Sequence, residues 1–586
     1  MRSPKRPAVL FTLFGVTALA GVFLVPAAGR AAEPSDKALP SSTIAYLKIE
    51  NAAKLREEFK ASQLGQLIAD PGVKPLKDDI LSRLEEPSKK MQEKIGVTIQ
   101  ELLTLPEGAV TLAIVGREAP EGKPPVALIA SADAGANDAK MAEVLAKVNG
   151  EAEKSGAKVV SETFKDLKLT SIAGTDGADP LVWTKQGTVY YISSDAGALK
   201  DFLGNLSGRT ESLASNESYQ GVLKGLGANP QVALFVDVAK VINLAIASNP
   251  GGNADQIKAQ LELTGINGFK GIGGSFNFNQ GEFDQVLKLF LYSPGAAQGI
   301  LKVFAMPPID LKPQSWVAAT ANSYQSFSWN LDSAWKAITE LADANGMGGF
   351  IDNAQQGIGG PNGDFDFKKD LFGPLGNRIS VVSDFKKPVT EKSQRYLVAV
   401  GLDDEKAFQN TFNKILDLAK ATPKKRDFQG ATVYDFDVPA IPNAGAAGVN
   451  LEGPISVTIT KGNLFIATEP SFLEQTLRAG AAALADSPEF QAVAKKYPEL
   501  TSILTYDKTE EQARIVYDMV KGDGFQKALD QANANNPGEK VQNPIDPKKI
   551  PDFSVFAKYL APGGTFGVQD ESGVTITSFM LRKAKP

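Results

Sequence analysis

Apolar residues recur along this chain with two different spacings, which together predict strands alternating with helices. Short apolar runs such as Val110–Val115 and Val126–Ala130 are typical of strands. The spacing i, i+3, i+4, i+7 then marks one helix face at Met141, Val144, Leu145 and Val148. An antiparallel meander is predicted at Lys158–Phe164, Leu167–Ile172, Leu181–Lys185 and Val189–Ile192. The pattern indicates an α+β fold with antiparallel sheets.

The same order of elements is predicted twice. The stretch Asp370–Ala419 reads as a short turn ending at Gly376, two apolar strands and an amphipathic helix, and Glu101–Val148 is a diverged copy of it. The helix stripe of the second copy consists of Phe412, Ile415, Leu416 and Ala419. Farther along, Tyr219 aligns with Phe490 and Asp237 with Asp507. The aligned residues lie too far apart in sequence for a solenoid, whose repeats are much shorter. The repeat therefore predicts a tandem duplication of a whole domain.

The duplication predicts two homologous domains, each an antiparallel sheet with packed helices. Each domain is large enough for its own core. The expected divisions are a signal peptide at 1–31, a linker at 32–42, a first domain at 43–294, a linker at 295–314 and a second domain at 315–586. Each domain is predicted to close on a hairpin, whose second strand is Val286–Leu291 in the first and Val574–Leu581 in the second.

The N-terminus has the order of a secretory signal peptide. Three basic residues precede the apolar run Ala8–Val25, and small residues follow up to Ala31, after which cleavage is expected. The alternative is an uncleaved membrane anchor, because Ala8–Ala28 is long enough to span a bilayer. Either alternative predicts an exported protein of the periplasm or cell envelope. The chain contains no cysteine, so it has no disulfides and depends on its cores for stability.

Composition excludes several kinds of chemistry. With 62 basic and 67 acidic residues the formal net charge is -5, which disfavours a nucleic-acid partner. The chain has no histidine, so serine or cysteine triads and the usual zinc sites are excluded. The absence of cysteine excludes thiolate nucleophiles and iron–sulfur clusters. We expect no catalytic residue, no metal and no cofactor.

Several short motifs have a structural and a functional interpretation. Four strand-to-helix junctions carry an acidic residue, which favours helix capping over a cation site: Glu50, Asp237, Asp332 and Asp507. The S-x-x-K pattern at Ser333 and Lys336 matches a serine nucleophile motif, but helix capping is the simpler interpretation. The glycines of Gly271–Gly274 and Gly357–Gly360 are interpreted as turn and strand glycines rather than phosphate loops.

Two charged runs also have a simple interpretation. Asp364, Asp366 and Asp370 could suggest a calcium loop. However, Asp364 and Asp366 alternate with Phe365 and Phe367, as in a half-buried strand. The basic residues Lys420, Lys424, Lys425 and Arg426 are expected in a solvated loop.

One segment resembles a known protein family. Asp364–Val382 reads DFDFKKDLFGPLGNRISVV, and Leu464–Leu477 follows as LFIATEPSFLEQTL. These two segments resemble a widespread family of exported bacterial proteins that is defined only as a domain of unknown function. The first copy departs from it, because Ile95–Gly108 reads IGVTIQELLTLPEG. The resemblance implies export and supplies no site residues.

Three hypotheses for function follow. The first is a non-enzymatic cell-envelope protein that binds a protein or ligand or has a structural role. The second is a carrier of a lipid or other apolar ligand, because Leu287, Leu289 and Leu291 share one strand face while Val286 and Phe290 share the other. The third is a carboxylate-based hydrolase, which needs two acids about 5 to 10 Å apart in a cleft.

Overall fold

The structure is a computed structural model, and the predicted α+β class is confirmed. It describes residues 35–83, 85–118, 125–174, 179–227, 229–247, 254–295, 297, 299–344, 346–359, 365–386, 393–438, 453–478, 480–522, 524–535 and 545–583. The predicted signal peptide at 1–31 lies outside these residues, as does the start of the predicted linker at 32–42.

Twenty strands of the described chain belong to one antiparallel sheet. In the first half they are β1 (Thr43–Ile49), β2 (Val110–Gly116), β3 (Val126–Asp133), β4 (Val159–Phe164), β5 (Leu167–Ile172), β6 (Leu181–Gln186), β7 (Val189–Ser193), β8 (Val232–Asp237), β9 (Gly271–Gln280) and β10 (Phe283–Tyr292). In the second half they are β11 (Ser323–Ser328), β12 (Leu375–Phe385), β13 (Gln394–Leu402), β14 (Lys424–Phe428), β15 (Ala431–Val438), β16 (Gly453–Thr460), β17 (Asn463–Ala467), β18 (Ile503–Asp507), β19 (Gly563–Asp570) and β20 (Gly573–Leu581).

Helices connect these strands and lie on the sheet. The first half contains α1 (Ser35–Ala38), α2 (Ala52–Ala61), α3 (Gln63–Ala69), α4 (Lys74–Ser82), α5 (Glu85–Ile95), α6 (Ile99–Thr104), α7 (Asp138–Lys154), α8 (Ala196–Gly204), α9 (Glu217–Leu226), α10 (Val238–Ala247) and α11 (Ala254–Thr264). The second half contains α12 (Leu331–Ala344), α13 (Gly348–Gly359), α14 (Glu405–Leu418), α15 (Pro470–Leu477), α16 (Pro488–Ala494), α17 (Thr509–Lys521), α18 (Gly524–Asn535) and α19 (Phe553–Ala557).

The strands of the two halves follow the same spatial order. In the first half the order is β4-β5-β6-β7-β3-β2-β1-β8-β9-β10. In the second half it is β14-β15-β16-β17-β13-β12-β11-β18-β19-β20. Strand β10 pairs antiparallel with β20, and this pairing joins the halves at a central seam. The sequence predicted a sheet in each half but did not predict that the two sheets would be continuous.

One face of the sheet, the covered face, holds the main cores. In the first half α8 and α9 pack on Tyr46, Phe235 and Phe290. In the second half α15 and α16 pack on the corresponding side of the sheet, against Tyr324 and Tyr506. The predicted correspondence of Tyr219 with Phe490 is consistent with this packing, since each ring lies 5.2 Å from the aromatic ring of a strand, Phe235 or Tyr506.

The opposite face, the open face, is covered mainly at its two outer wings. Helix α7 packs there through Met141, Val144 and Leu145 in contact with Tyr190, as the stripe predicted. Helix α14 covers the other wing, where Leu416 packs with Tyr434 and Val457. The predicted stripe of α14 is wrong at its end, because Ala419 is an exposed cap residue and Phe408 and Thr411 are buried instead.

Candidate functional site

The open face carries a continuous row of apolar residues across the eight central strands. Each residue of the row lies opposite the next in the strand pairing, so all of them point to the same side of the sheet. In spatial order they are Leu47, Leu234, Gly274, Leu289, Ile576, Gly567, Ile503 and Phe327. Neighbouring strands lie about 4.8 Å apart, so the row is about 34 Å long. It crosses the seam between Leu289 and Ile576.

In the first half the rows on either side are apolar as well. One flanking row consists of Ile114, Ala45, Val236, Ile272 and Leu291. The other consists of Ile49, Val232, Phe276 and Leu287. We call the central row and these two flanking rows the apolar strip.

Solvent reaches the apolar strip. Its most accessible side chains are 36% to 40% exposed: Ile114, Leu234, Ile272, Leu287 and Leu289. The apolar residues on both faces of β10 predicted that both faces would be buried. In the structure only one face of β10 is buried. Val286 and Phe290 are buried at 6% and 2% exposure, whereas Leu287 and Leu289 are not.

Helices border the strip at opposite ends of its strands. Helix α2 follows β1 and packs through Leu55 and Phe59 on Ile49 and Phe278. Helix α12 follows the corresponding strand β11 and packs on Val303 of the 3-10 turn Gly299–Phe304. Strands β1 and β11 run in opposite directions, because the seam pairing is antiparallel. The strip therefore lies between α2 at one end and α12 with its turn at the other.

A polar row flanks the strip in the second half. Ser578, Thr565, Thr505 and Gln325 continue the row that begins with Ile49 and ends in the first half at Leu287. We call these four residues the polar band. Their side chains are partly or fully accessible, and the Thr565 hydroxyl donates to the Ser578 hydroxyl at 3.0 Å.

Next to the polar band lies an open cleft of about 870 Å³. It is bordered by the ends of β11, β12 and β18 and by α17, and six of its lining residues are acidic: Asp384, Glu489, Asp507, Glu510, Glu511 and Asp518. Its two basic residues, Lys508 and Arg514, already have partners. The Lys508 Nζ donates to the Ala319 carbonyl at 2.6 Å. The Arg514 guanidinium lies 4.0 Å from the centre of the Phe553 ring and 3.8 Å from Glu510.

Asp507 connects the cleft to the polar band. It lies opposite Ser323 in the pairing, two residues beyond Thr505, and so points to the open face. Burial raises the pKa of the Asp507 carboxyl, and a hydrogen bond with the Ser323 side chain opposes that rise. Asp384 differs, because Arg395 binds it with two hydrogen bonds of 2.7 and 2.6 Å. The hydrolase hypothesis needs two available acids, and Asp384 is therefore a poor candidate for one of them.

The junction acids have separate roles. Asp237 caps α10, because its Oδ1 accepts from the Lys240 amide at 3.1 Å. The sequence predicted that Asp507 is the counterpart of Asp237 in the second half, and this prediction is wrong. Phe235 lies opposite Tyr46 and Tyr506 opposite Tyr324, so Asp507 corresponds to Val236. Glu50 pairs with Lys48 at 2.5 Å, and Asp332 lies in the first turn of α12. Within the described residues, no group of three acidic side chains is placed to hold a metal ion.

The described residues of the two glycine motifs and of the serine motif lie in regular secondary structure. Gly271–Gly274 lies in β9, as expected. Gly357–Gly359 lies in α13, so its interpretation as turn or strand was wrong, and Gly360 is outside the described residues. Ser333 is in the first turn of α12, where its amide donates to Asn330 at 2.9 Å. The helix cap is therefore Asn330 rather than Ser333.

The two charged runs also differ from their predictions. Asp370 lies in a π-helical turn, Phe367–Phe372, rather than in a strand, and Asp366 caps this turn by accepting from the Lys369 amide at 2.8 Å. Asp364 lies outside the described residues. Of the basic residues predicted in a loop, Lys420 lies in the exposed turn after α14, whereas Lys424, Lys425 and Arg426 belong to strand β14. Arg426 pairs with Asp435 and Glu474, each at 2.7 Å.

Comparison with known proteins finds a match to a family model. Residues 352–542 match the model of a family described as a protein of unknown function (DUF3352). The matched region runs from α13 through α18 and includes most of the cleft and Thr505 of the polar band. Neither a curated protein nor a solved structure matches the chain. Among the described helices, none is both long and apolar enough to cross a membrane.

Sequence reasoning found part of this site. The alternation within β10 indicated unsatisfied apolar surface at Leu287, Leu289 and Leu291. It did not find the strip, because the strip depends on which strands pair and in which register. The polar band was also missed, since Ser, Thr and Gln at alternate positions of a strand are typical of any solvated sheet face.

Proposed function

We propose that the protein is an exported, non-enzymatic binding protein of the cell envelope whose ligand carries extended apolar chains. The observation that carries this proposal is the apolar strip, which spans both halves. A contiguous apolar surface on a folded protein often marks an interaction site. Of the three hypotheses from the sequence, the strip supports the carrier of an apolar ligand best.

The chemistry of the strip favours hydrocarbon chains over a protein partner. Energetically important residues of protein interfaces are enriched in Trp, Tyr and Arg, whereas Leu and Val are under-represented. The central row consists of aliphatic residues, two glycines and Phe327. The strip lies in the middle of the sheet, where each strand has a neighbour on both sides. A partner strand therefore has no free edge to extend at this place.

The energy available is sufficient for binding. Complete burial of one such side chain gains about 1.5 to 3 kcal/mol, so covering the accessible parts of the five most exposed residues gains on the order of 3 to 6 kcal/mol. The ligand gains about 0.8 kcal/mol more for each CH₂ group that leaves water. A chain of about ten such groups can therefore offset the entropy cost of association.

The origin of the two halves is part of the same proposal. Their identical strand order supports the duplication that the sequence predicted, and so does the antiparallel pairing of β10 with its counterpart β20. Duplication would double the length of apolar sheet face available to one ligand. Export rests on the N-terminal sequence pattern.

Native mass spectrometry of the mature protein, purified gently from its own envelope, tests this function. The wild-type protein is expected to carry a lipid or other apolar molecule that organic extraction releases. Leu289→Gln places an amide in the middle of the strip and should reduce the bound fraction at least tenfold. Leu500→Gln is the matched control, since Leu500 is 51% exposed and lies outside the strip. A bare mass for the wild-type protein, or equal loss in both variants, would contradict the proposal.

A further inference from the structure

The polar band is the place where the two halves of the open face differ most. The pair Tyr46 and Phe235 in the first half corresponds to the pair Tyr324 and Tyr506 in the second. By this correspondence Leu47 is matched by Gln325, and Leu234 is matched by Thr505. The next two residues of the same row, Gly274 and Leu289, are matched by Thr565 and Ser578. One half therefore offers apolar groups where the other offers hydroxyl and amide groups.

Because of this difference, the two halves of the site favour different parts of a ligand. An apolar chain is best accommodated over the first half, where all three rows are apolar. A polar group attached to that chain meets hydrogen-bonding side chains as soon as it crosses the seam at Leu287 and Ser578. The four residues of the polar band lie on adjacent strands and extend for about 14 Å. That length suits a headgroup with several hydrogen-bonding atoms rather than one small group.

The charges around the polar band select against an anionic headgroup. The band itself has no charged side chain. The next residue along β18 on the same face is Asp507, and the acidic cleft follows. The cleft's lysine and arginine are held by Ala319 and by Phe553 and Glu510. A phosphate would meet like charge there, whereas sugar hydroxyls can donate hydrogen bonds to carboxylates.

Building on the proposed function, we infer that the ligand is an uncharged, hydroxyl-rich amphiphile of the neutral glycolipid type. Its chains lie on the apolar strip of the first half, and its sugar lies on the polar band beside Asp507. Gln325, Thr505, Thr565 and Ser578 are then the residues that determine headgroup specificity.

Equilibrium competition against a fluorescent fatty-acyl probe tests this inference on the delipidated mature protein. The competitors are a glucosyl diacylglycerol, the diacylglycerol without sugar, phosphatidylglycerol and phosphatidylethanolamine, all with the same chains. The glucosyl lipid is expected to bind at least tenfold more tightly than phosphatidylglycerol. Thr505→Val with Thr565→Val removes two hydroxyls without loss of volume. It should weaken glucosyl lipid binding about tenfold and leave diacylglycerol binding unchanged.

The experiment includes a control variant, and its contrary outcomes separate the inferred headgroup from the proposed function. Thr575→Val changes the same residue type in β20 but on the covered face, opposite Phe290, and should leave all four affinities unchanged. Near-ultraviolet circular dichroism checks that each variant keeps its packing. Tighter or equal binding of phosphatidylglycerol, a preference for phosphatidylethanolamine, or no effect of the double variant would overturn the inferred headgroup. Failure of all four lipids to displace the probe would overturn the proposed function itself.

Discussion

Gly273 and Gly274 are neighbours in β9 but face opposite sides of the sheet. A Cβ atom at Gly273 would lie 2.2 Å from Cγ1 of Val222, which is on α9. A Cβ atom at Gly274 would lie 3.6 Å from its nearest neighbours, side-chain atoms of Leu234 and Leu289 in the apolar strip. Gly273 thus permits close approach of a helix, whereas Gly274 leaves a shallow depression on the open face.

We predict different effects for alanine at these two positions. Gly273→Ala should lower the free energy of unfolding by about 1 to 3 kcal/mol, because α9 must move. Gly274→Ala should be neutral or slightly stabilising, since alanine restricts the unfolded chain and fits without a clash. Urea unfolding of both variants measures the difference. Equal losses would show that helix packing on the covered face does not determine the requirement for glycine at 273.

At the residue scale, part of the structure can be predicted from the sequence. It paired Tyr219 with Phe490 through their apolar surroundings, and the structure places both rings against the covered face. It misaligned Asp237 with Asp507, because similar letters at a strand end do not reveal the cross-strand register. One residue of shift in a strand moves a side chain to the other face of the sheet. For this reason Asp507 belongs to the open face and contributes to the candidate site.

At the scale of secondary-structure elements, a hydrogen bond to Asp284 of β10 connects helix α3 to the seam. The Asp284 Oδ1 accepts from the Gln63 amide at 2.9 Å, while the Gln63 side chain donates to the Leu581 carbonyl at 3.2 Å and accepts from the Lys583 amide at 2.9 Å. A helix of the first half is thereby bound to the last strand of the second. Asp284 is only 3% exposed, and burial raises the pKa of its carboxyl, while the Gln63 hydrogen bonds and Arg582 oppose the rise.

This raised pKa predicts a pH-dependent effect of Asp284→Asn. The folded protein holds the Asp284 proton more tightly than the unfolded chain, so the stability contributed by this group is present at low pH. It is lost as the pH rises from the unfolded pKa through the folded pKa. The asparagine is neutral throughout and keeps an oxygen for the Gln63 amide. The variant should therefore gain stability relative to the wild type as pH rises.

Urea unfolding between about pH 3 and pH 7 measures this difference, since the range spans ordinary carboxyl titration. The exposed Asp310→Asn is a control for removal of one charge. An Asp284→Asn variant that loses stability relative to the wild type as pH rises would contradict the assigned direction.

Elements with strong periodicity were predicted well, and elements dominated by other constraints were not. The stripe of α7 and the meander β4–β7 match the structure, because one of their faces is buried and the other is solvated. Strand β14 was missed because it is at the edge of the sheet, where lysines protect against strand addition and obscure the apolar alternation. The π-helical turn Phe367–Phe372 was missed because alternating Phe and Asp residues imitate a strand.

At the scale of the whole molecule, the seam converts two similar halves into one sheet. The sequence predicted the class of each half but gave no sign of the β10–β20 pairing, which joins residues about 290 positions apart, such as Leu289 and Ile576. Local patterns cannot encode a contact of that separation. The apolar strip and the polar band both depend on this pairing, so the candidate site is a property of the joined halves.

Photo-crosslinking with a diazirine-bearing diacylglycerol tests the central claim most directly. The probe is bound to the full-length mature protein, activated by light, and its attachment sites are located by tandem mass spectrometry. Labels are expected on strip residues, with Leu234, Ile272, Leu287 and Leu289 labelled most strongly because they are among the most exposed. A 100-fold excess of unlabelled diacylglycerol should abolish these labels. Labels confined to exposed residues outside the strip, such as Leu500 and Val516, would contradict the assignment of the strip as the binding surface.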